Sequence, residues 1–246
     1  MAVFSAHDLQ VTRANVTSPA PRVDAITRRK AKFWDRSARR YAASTIADLP
    51  GYEQTLARTI NLLSETDHVL EIGCGTGSTA LRIAAYCASY RATDVSSRMI
   101  AIANEKLNAS PVASLQFAVA DAEACAAEPG VLYDCVLAFN VLHLVDDLDD
   151  AIAACATALK PGGLLISKTP CLNEMNWLIP HVAVPLARLV GKAPPVLNLS
   201  EGTLIAAMRR RGLVVRCVER HASRGVDARP FIVAHKPRGI VGNHLA

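Results

Sequence analysis

Apolar positions along the chain fall into two regimes. In the first, Ile26 to about Ala43 reads as a basic helix carrying Phe33, Trp34 and Tyr41, and Glu53 to Ser64 repeats Leu56, Ile60 and Leu63 at helical spacing. From residue 68 the pattern alternates between short apolar runs and helices. His68–Ile72, Arg91–Val95, Leu115–Val119, Tyr133–Phe139 and Leu164–Ser167 read as strands. Thr79–Cys87, Ser97–Asn108 and the Ala-rich Leu148–Leu159 read as the helices between them, the last stopped by Lys160-Pro161-Gly162-Gly163. Strands separated by helices of this length predict βαβ units and a parallel sheet covered on both faces.

The C-terminal part breaks the alternation. Glu201–Arg211 predicts a helix closed by Gly212, and Leu213–Val218 and Phe231–Ala234 predict two strands joined by a turn-rich segment. Without a helix between them, those strands should be antiparallel. The expected fold is therefore α/β: a Rossmann-like, mostly parallel seven-stranded sheet with helices on both faces and a C-terminal antiparallel hairpin. Residues 1–31 read as a disordered basic tail and 32–240 as one domain. Within it, 171–199 is an insert between the fifth strand and the last helix, read as a substrate lid, with the apolar run Trp177–Leu186.

Composition adds little until the charge is divided. The 246 residues carry +5 overall, but residues 1–32 hold six basic and two acidic side chains, and 209–246 hold nine and two. The stretch between is net acidic, which disfavours a polyanionic partner such as nucleic acid at a central site. Seven scattered cysteines without C-x-x-C spacing read as reduced thiols, so neither a disulfide frame nor a metal site is expected. No apolar run approaches the roughly 20 residues of a membrane span. A cytoplasmic location is expected, with a mitochondrial one left open by the basic N-terminus. Loose membrane contact through the apolar insert is also left open.

Candidate chemistry begins at the end of the first strand. Gly73, Gly75 and Gly77 permit a sharp turn and close approach of a ligand to the backbone, ahead of a helix N-terminus that favours an anionic group. Asp94 ends the second strand, where a carboxylate can accept from both ribose hydroxyls, and Asp121-Ala122 follows the third, where one can accept from an adenine amino group. A dinucleotide-binding loop is the competitor. Its third glycine would fall at position 78, which is serine.

Glu71-Ile72-Gly73-Cys74-Gly75-Thr76-Gly77, Asp94, Ala120-Asp121-Ala122, Asp134 to Leu142 and Leu159-Lys160-Pro161-Gly162-Gly163 together resemble, in order and spacing, the motifs of class I S-adenosylmethionine-dependent methyltransferases. The likeness is to the small-molecule group that includes the quinone-biosynthesis C-methyltransferases. It implies S-adenosylmethionine as cofactor and a small-molecule acceptor. It also implies a cofactor-binding set of Tyr41, Glu71, Gly73, Gly75, Gly77, Asp94, Val95, Met99, Asp121, Ala122 and Asn140. Asn140-Val141-Leu142-His143 lacks the [N/D]-P-P-[Y/F] signature of amino methyltransferases acting on adenine, cytosine or glutamine. His143, close after the fourth strand, is the candidate base or substrate-orienting residue. The apolar insert points to an apolar or aromatic acceptor. A non-catalytic cofactor-binding partner protein and an RNA methyltransferase are the alternatives.

Overall fold

The computed structural model describes residues 25–122, 130–175 and 194–238. Two helices, α1 (Ala25–Ala42) and α2 (Leu49–Ile60), precede the sheet. There follow β1 (His68–Ile72), α3 (Ser78–Ile83), β2 (Ser89–Asp94), α4 (Ser97–Ala109), β3 (Leu115–Val119) and β4 (Tyr133–Phe139). The chain continues through α5 (Leu148–Ala158), β5 (Leu159–Lys168), α6 (Glu201–Arg210), β6 (Val214–Glu219) and β7 (Phe231–His235). The seven strands lie in the order β3-β2-β1-β4-β5-β7-β6. The pairings from β3 through β5 are parallel, and β7 runs antiparallel to both β5 and β6. This is the α/β sheet with a terminal hairpin that the sequence pattern predicts.

Both faces of the sheet are covered, which is why the central strands are mostly apolar and do not alternate. Leu70, Ile72, Val136 and Ala138 join Ile152 of α5 and Leu204 and Met208 of α6 in one core. Val69, Cys135 and Leu137 join Leu56 of α2, Ile83 of α3 and Ile100 of α4 in the other. Strand order reverses between β1 and β4. The crevice beyond the carboxyl ends of those two strands is the expected ligand position in an open α/β sheet.

Several boundaries differ from the sequence reading, each for a local reason. Helix α1 lies within a residue of the helix read over Ile26 to about Ala43, so residues 25–31, which the domain division counts in the tail, are helical. The rest of that tail lies outside the described residues. Helix α2 starts at Leu49, not Glu53, because Asp48 caps it by accepting from the Gly51 N–H (3.1 Å) and Pro50 occupies its first turn. Lys160-Pro161-Gly162-Gly163 does end α5, but the four residues already belong to β5. Leu159 pairs with Tyr133, the register shifts before Cys135, and the Gly162 N–H donates to the Lys236 carbonyl at 2.7 Å. The extra residues form an irregularity within the strand, with Gly162 at φ +89°. Of the insert, only 171–175 and 194–199 are described; the apolar run Trp177–Leu186 lies outside the described residues.

Candidate active site

The glycine loop after β1 is held in place by main-chain geometry. Gly73, Gly75 and Gly77 all take positive φ (66°, 56° and 73°), where a Cβ is strained. A Cβ on Gly73 would come 2.3 Å from Val141 Cγ2, and one on Gly77 2.5 Å from Phe117 Cζ. Gly75 differs: a Cβ there would meet only the Tyr41 ring, at an ordinary contact distance of 3.6 Å. The loop is tied to the second strand, with the Cys74 N–H donating to the Thr93 carbonyl and the Gly75 N–H to Asp94 Oδ2 (2.9 Å each). On its outer side Lys106 of α4 donates to the Thr76 carbonyl, the Thr76 hydroxyl and the Ser78 hydroxyl.

Asp94 also accepts from the Ser96 N–H at 2.8 Å, so each carboxylate oxygen has one backbone donor and keeps acceptor capacity. Burial, the largest influence, raises its pKa above the ordinary carboxylate range, opposed by those two hydrogen bonds. Glu71 lies deeper. It is fully buried, accepts from the Tyr90 hydroxyl at 2.8 Å, and is pushed up to about 7 by desolvation.

Helix α1 crosses the strand ends as a strap. Thr27 donates to Asp121 Oδ2 (2.8 Å), Lys30 pairs with Asp146 (2.5 Å), and Asp35 accepts from the Ser96 hydroxyl (2.6 Å) and the Arg98 N–H (3.1 Å). Trp34 and Tyr41 meet edge to face, 6.3 Å between ring centroids. The basic helix read from the sequence is thus anchored through its polar side chains to three loops of the sheet.

Between strap and strand ends lies a first cavity of about 350 Å³. It brings together ten of the twelve candidate residues: Tyr41, Gly73, Gly75, Asp94, Val95, Met99, Asp121, Ala122, Asn140 and His143. Glu71 and Gly77 are outside its wall. Gly77 packs against Phe117 and Ala103, and Glu71 sits behind the loop on Tyr90. The cavity volume falls within the range of small-molecule sites, and its floor carries carboxylates. Lys30, paired with Asp146, and Arg229 also line it, while the Asp94 and Asp121 carboxylates can accept from a ligand's hydroxyl and amino groups. These residues therefore fit a nucleoside-bearing sulfonium.

Asn140 is the one non-glycine residue at positive φ among the described residues (53°), a conformation asparagine tolerates better than most, with its N–H donating to the Lys168 carbonyl at 2.8 Å. His143 Nδ1 is buried without a hydrogen-bond partner among the described residues. Burial pushes its pKa down to about 4. At neutral pH this is an uncharged ring with a nitrogen to spare, better suited to holding a polar group than to removing a proton.

Past Tyr41, Phe139, Asn140 and Arg229, which line both spaces, a second cavity of about 340 Å³ opens. Its wall includes Tyr52, Thr55, Leu56, Asp48 and Lys168. None of these was singled out from sequence as a site residue; Leu56 was read only as part of a helix face. Lys168 left one signal, a charged residue close after the apolar Leu164–Ile166 of a central strand. Among the described residues no group of three His, Cys, Asp or Glu side chains is arranged to hold a metal ion, and no helix is long and apolar enough to cross a membrane.

Comparison with known proteins agrees with this geometry. Residues 70–165 match the family model described as "Methyltransferase domain". A ubiquinone biosynthesis O-methyltransferase of Burkholderia orbicola is 36% identical over 110 residues, 44% of this chain and 47% of that protein. A highly reducing polyketide synthase of Phaeosphaeria nodorum is 41% identical over 106 residues, 40% of this chain and 4% of the synthase. The chain thus spans less than half the length of either relative. Among solved structures, the N-methyltransferase NodS of Bradyrhizobium japonicum in complex with S-adenosyl-L-homocysteine superposes with a TM-score of 0.60 at 19% identity, covering 83% of this chain and 98% of that one. Residues 70–165 thus match a methyltransferase domain and the chain is similar to a quinone-biosynthesis methyltransferase, a likeness that implies S-adenosylmethionine as cofactor.

Proposed function

We propose that this class I methyltransferase domain transfers a methyl group from S-adenosylmethionine to a small apolar or aromatic acceptor, with the cofactor in the first cavity and the acceptor in the second. The observation that carries the reading is that Asp94 and Asp121 line one cavity together with Gly73 and Gly75 of the glycine loop. When bound, the cofactor supplies an activated methyl on a cationic sulfur, and a neutral thioether departs without help from acid or metal.

The protein's part is then alignment. In this reading Asp94 receives the ribose hydroxyls, Asp121 the adenine amino group, and Val95, Met99 and Ala122 enclose the ring. Tyr41 and Asn140 stand at the junction, where the reacting atoms must meet. Neutral His143 orients a polar group there through its unpartnered nitrogen. The aromatic and apolar side chains Tyr52, Leu56 and Phe139 favour a planar or apolar acceptor over a nucleic acid.

The test is incubation of the purified protein with methyl-labelled S-adenosylmethionine, a small-molecule extract and total RNA. Label in the small-molecule fraction supports the proposal. Label confined to RNA sinks it in favour of an RNA methyltransferase. Cofactor binding with no label in either fraction favours a non-catalytic binding protein.

A further inference from the structure

Lys168 is the last residue of β5, paired in register with Phe139, and only 8% exposed. Its ammonium lies on the wall of the second cavity and donates to the Thr55 hydroxyl at 2.9 Å. An ammonium has three donors. Its nearest carboxylate, Asp227, stays at 3.8 Å, outside hydrogen-bond distance.

The neighbouring groups are occupied elsewhere. Asp227 accepts from the backbone N–H of His221, Ala222 and Arg229 at 2.9, 2.9 and 3.0 Å. Asp48, the carboxylate on the cavity wall, accepts from Gly51 N–H and from both the N–H and the hydroxyl of Ser223. The Thr55 hydroxyl is shared with the Gly51 carbonyl (2.8 Å) and His221 Nδ1 (3.0 Å), and His221 Nε2 meets Glu219 at 3.2 Å. This network fixes Lys168 in place and leaves its remaining donors without a protein acceptor at hydrogen-bond distance among the described residues. The Arg229 guanidinium, at 3.9 Å from Asp227, lines the same cavity. Burial lowers the Lys168 pKa and Asp227 opposes the shift, so a second anion in the cavity would hold the charged form.

We infer that the second cavity selects its ligand through an anionic oxygen, a phenolate, enolate or carboxylate held by Lys168 with Arg229 beside it. An aromatic or apolar body would lie against Tyr41, Tyr52 and Phe139. The inference rests on the second cavity being the acceptor site and narrows the acceptor class.

The experiment titrates benzoate and its near-isosteric neutral counterpart benzamide into protein saturated with S-adenosylhomocysteine. Benzoate should bind about tenfold more tightly than benzamide, the scale of one charge-assisted hydrogen bond. Lys168→Met should abolish that preference while S-adenosylhomocysteine affinity is retained, and Lys168→Arg should keep it. Equal binding of the two probes, no binding of benzoate at millimolar concentration, or a preference that survives Lys168→Met would overturn the inference. If Lys168→Met does not fold, the wild-type comparison decides alone. Failure of S-adenosylhomocysteine to bind would instead strike the cofactor reading, and benzoate against benzamide on the free protein would still test this pocket.

Discussion

The two cavities on either side of Tyr41 are nearly equal in volume but are built in opposite ways. The first is set by the loop after β1 and by strand ends: Gly73 and Gly75 at positive φ, the Asp94 and Asp121 carboxylates at or just past β2 and β3, and hydrogen bonds that tie the loop to β2. The second is made by side chains. Lys168 reaches Thr55 across 113 positions of sequence, and Thr55 reaches His221 across 166. A wall made of main chain constrains residue type locally, so its sequence is patterned. A wall made of distant side chains leaves no spacing to read. The comparison also separates roles, since one common cofactor can be met by a fixed backbone frame while a particular acceptor needs particular side chains.

The sharpest way to break the first cavity is to add a side chain where its loop has no room. Gly77→Val puts a branched residue at φ +73° against Phe117 and Ala103. The left-handed backbone and the overpacking together should cost about 2–5 kcal/mol, read as a lower midpoint in urea denaturation. A midpoint within error of wild type would mean the loop is not held as described.

Glu71 tests the same wall through pH. Its folded pKa of about 7 lies above the ordinary 4.5, so the folded protein binds a proton that the unfolded chain has already released. That stability is complete below about pH 4.5 and lost as pH rises through 7. Glu71→Gln should therefore gain on wild type between pH 5 and 8, by roughly 3 kcal/mol at the upper end. Denaturation midpoints that stay parallel across that range would show the carboxyl is not desolvated.

Asp94→Ala should remove charge-assisted hydrogen bonds worth about 1.5–3 kcal/mol, a loss of roughly ten- to over a hundred-fold in S-adenosylmethionine affinity by calorimetry. Benzoate binding in the second cavity should change far less. Equal losses at both cavities would mean the two are not separable. The smallest effect is expected at their shared wall. Tyr41→Leu removes the edge-to-face contact with Trp34, worth about 0.5–1.5 kcal/mol, and should weaken cofactor binding by no more than about tenfold.

What the sequence made legible follows the same division. The strand ladder was readable because burial on both faces forces apolar runs such as Cys135–Ala138, and mostly apolar ones such as Val69–Ile72, which Glu71 interrupts. The glycine loop and Asp94 were readable because backbone geometry dictates their type. Glu71 and Gly77 were read as cavity residues because motif position does not reveal which way a side chain or a missing Cβ faces. Structure puts both behind the wall. The start of α2 was missed because a cap, Asp48, and not periodicity, sets it. The strap contacts of Thr27, Lys30 and Asp35 were invisible, since each depends on where a loop of the sheet lies.

The central claim is that the first cavity holds a sulfonium nucleoside and not a dinucleotide. Calorimetric titration of the purified protein with S-adenosylmethionine, and with NAD in parallel, tests it most directly. Saturable binding of S-adenosylmethionine at one site, with no heat from NAD, is the predicted result. Binding of NAD without S-adenosylmethionine would contradict it and return the glycine loop to the dinucleotide-binding reading.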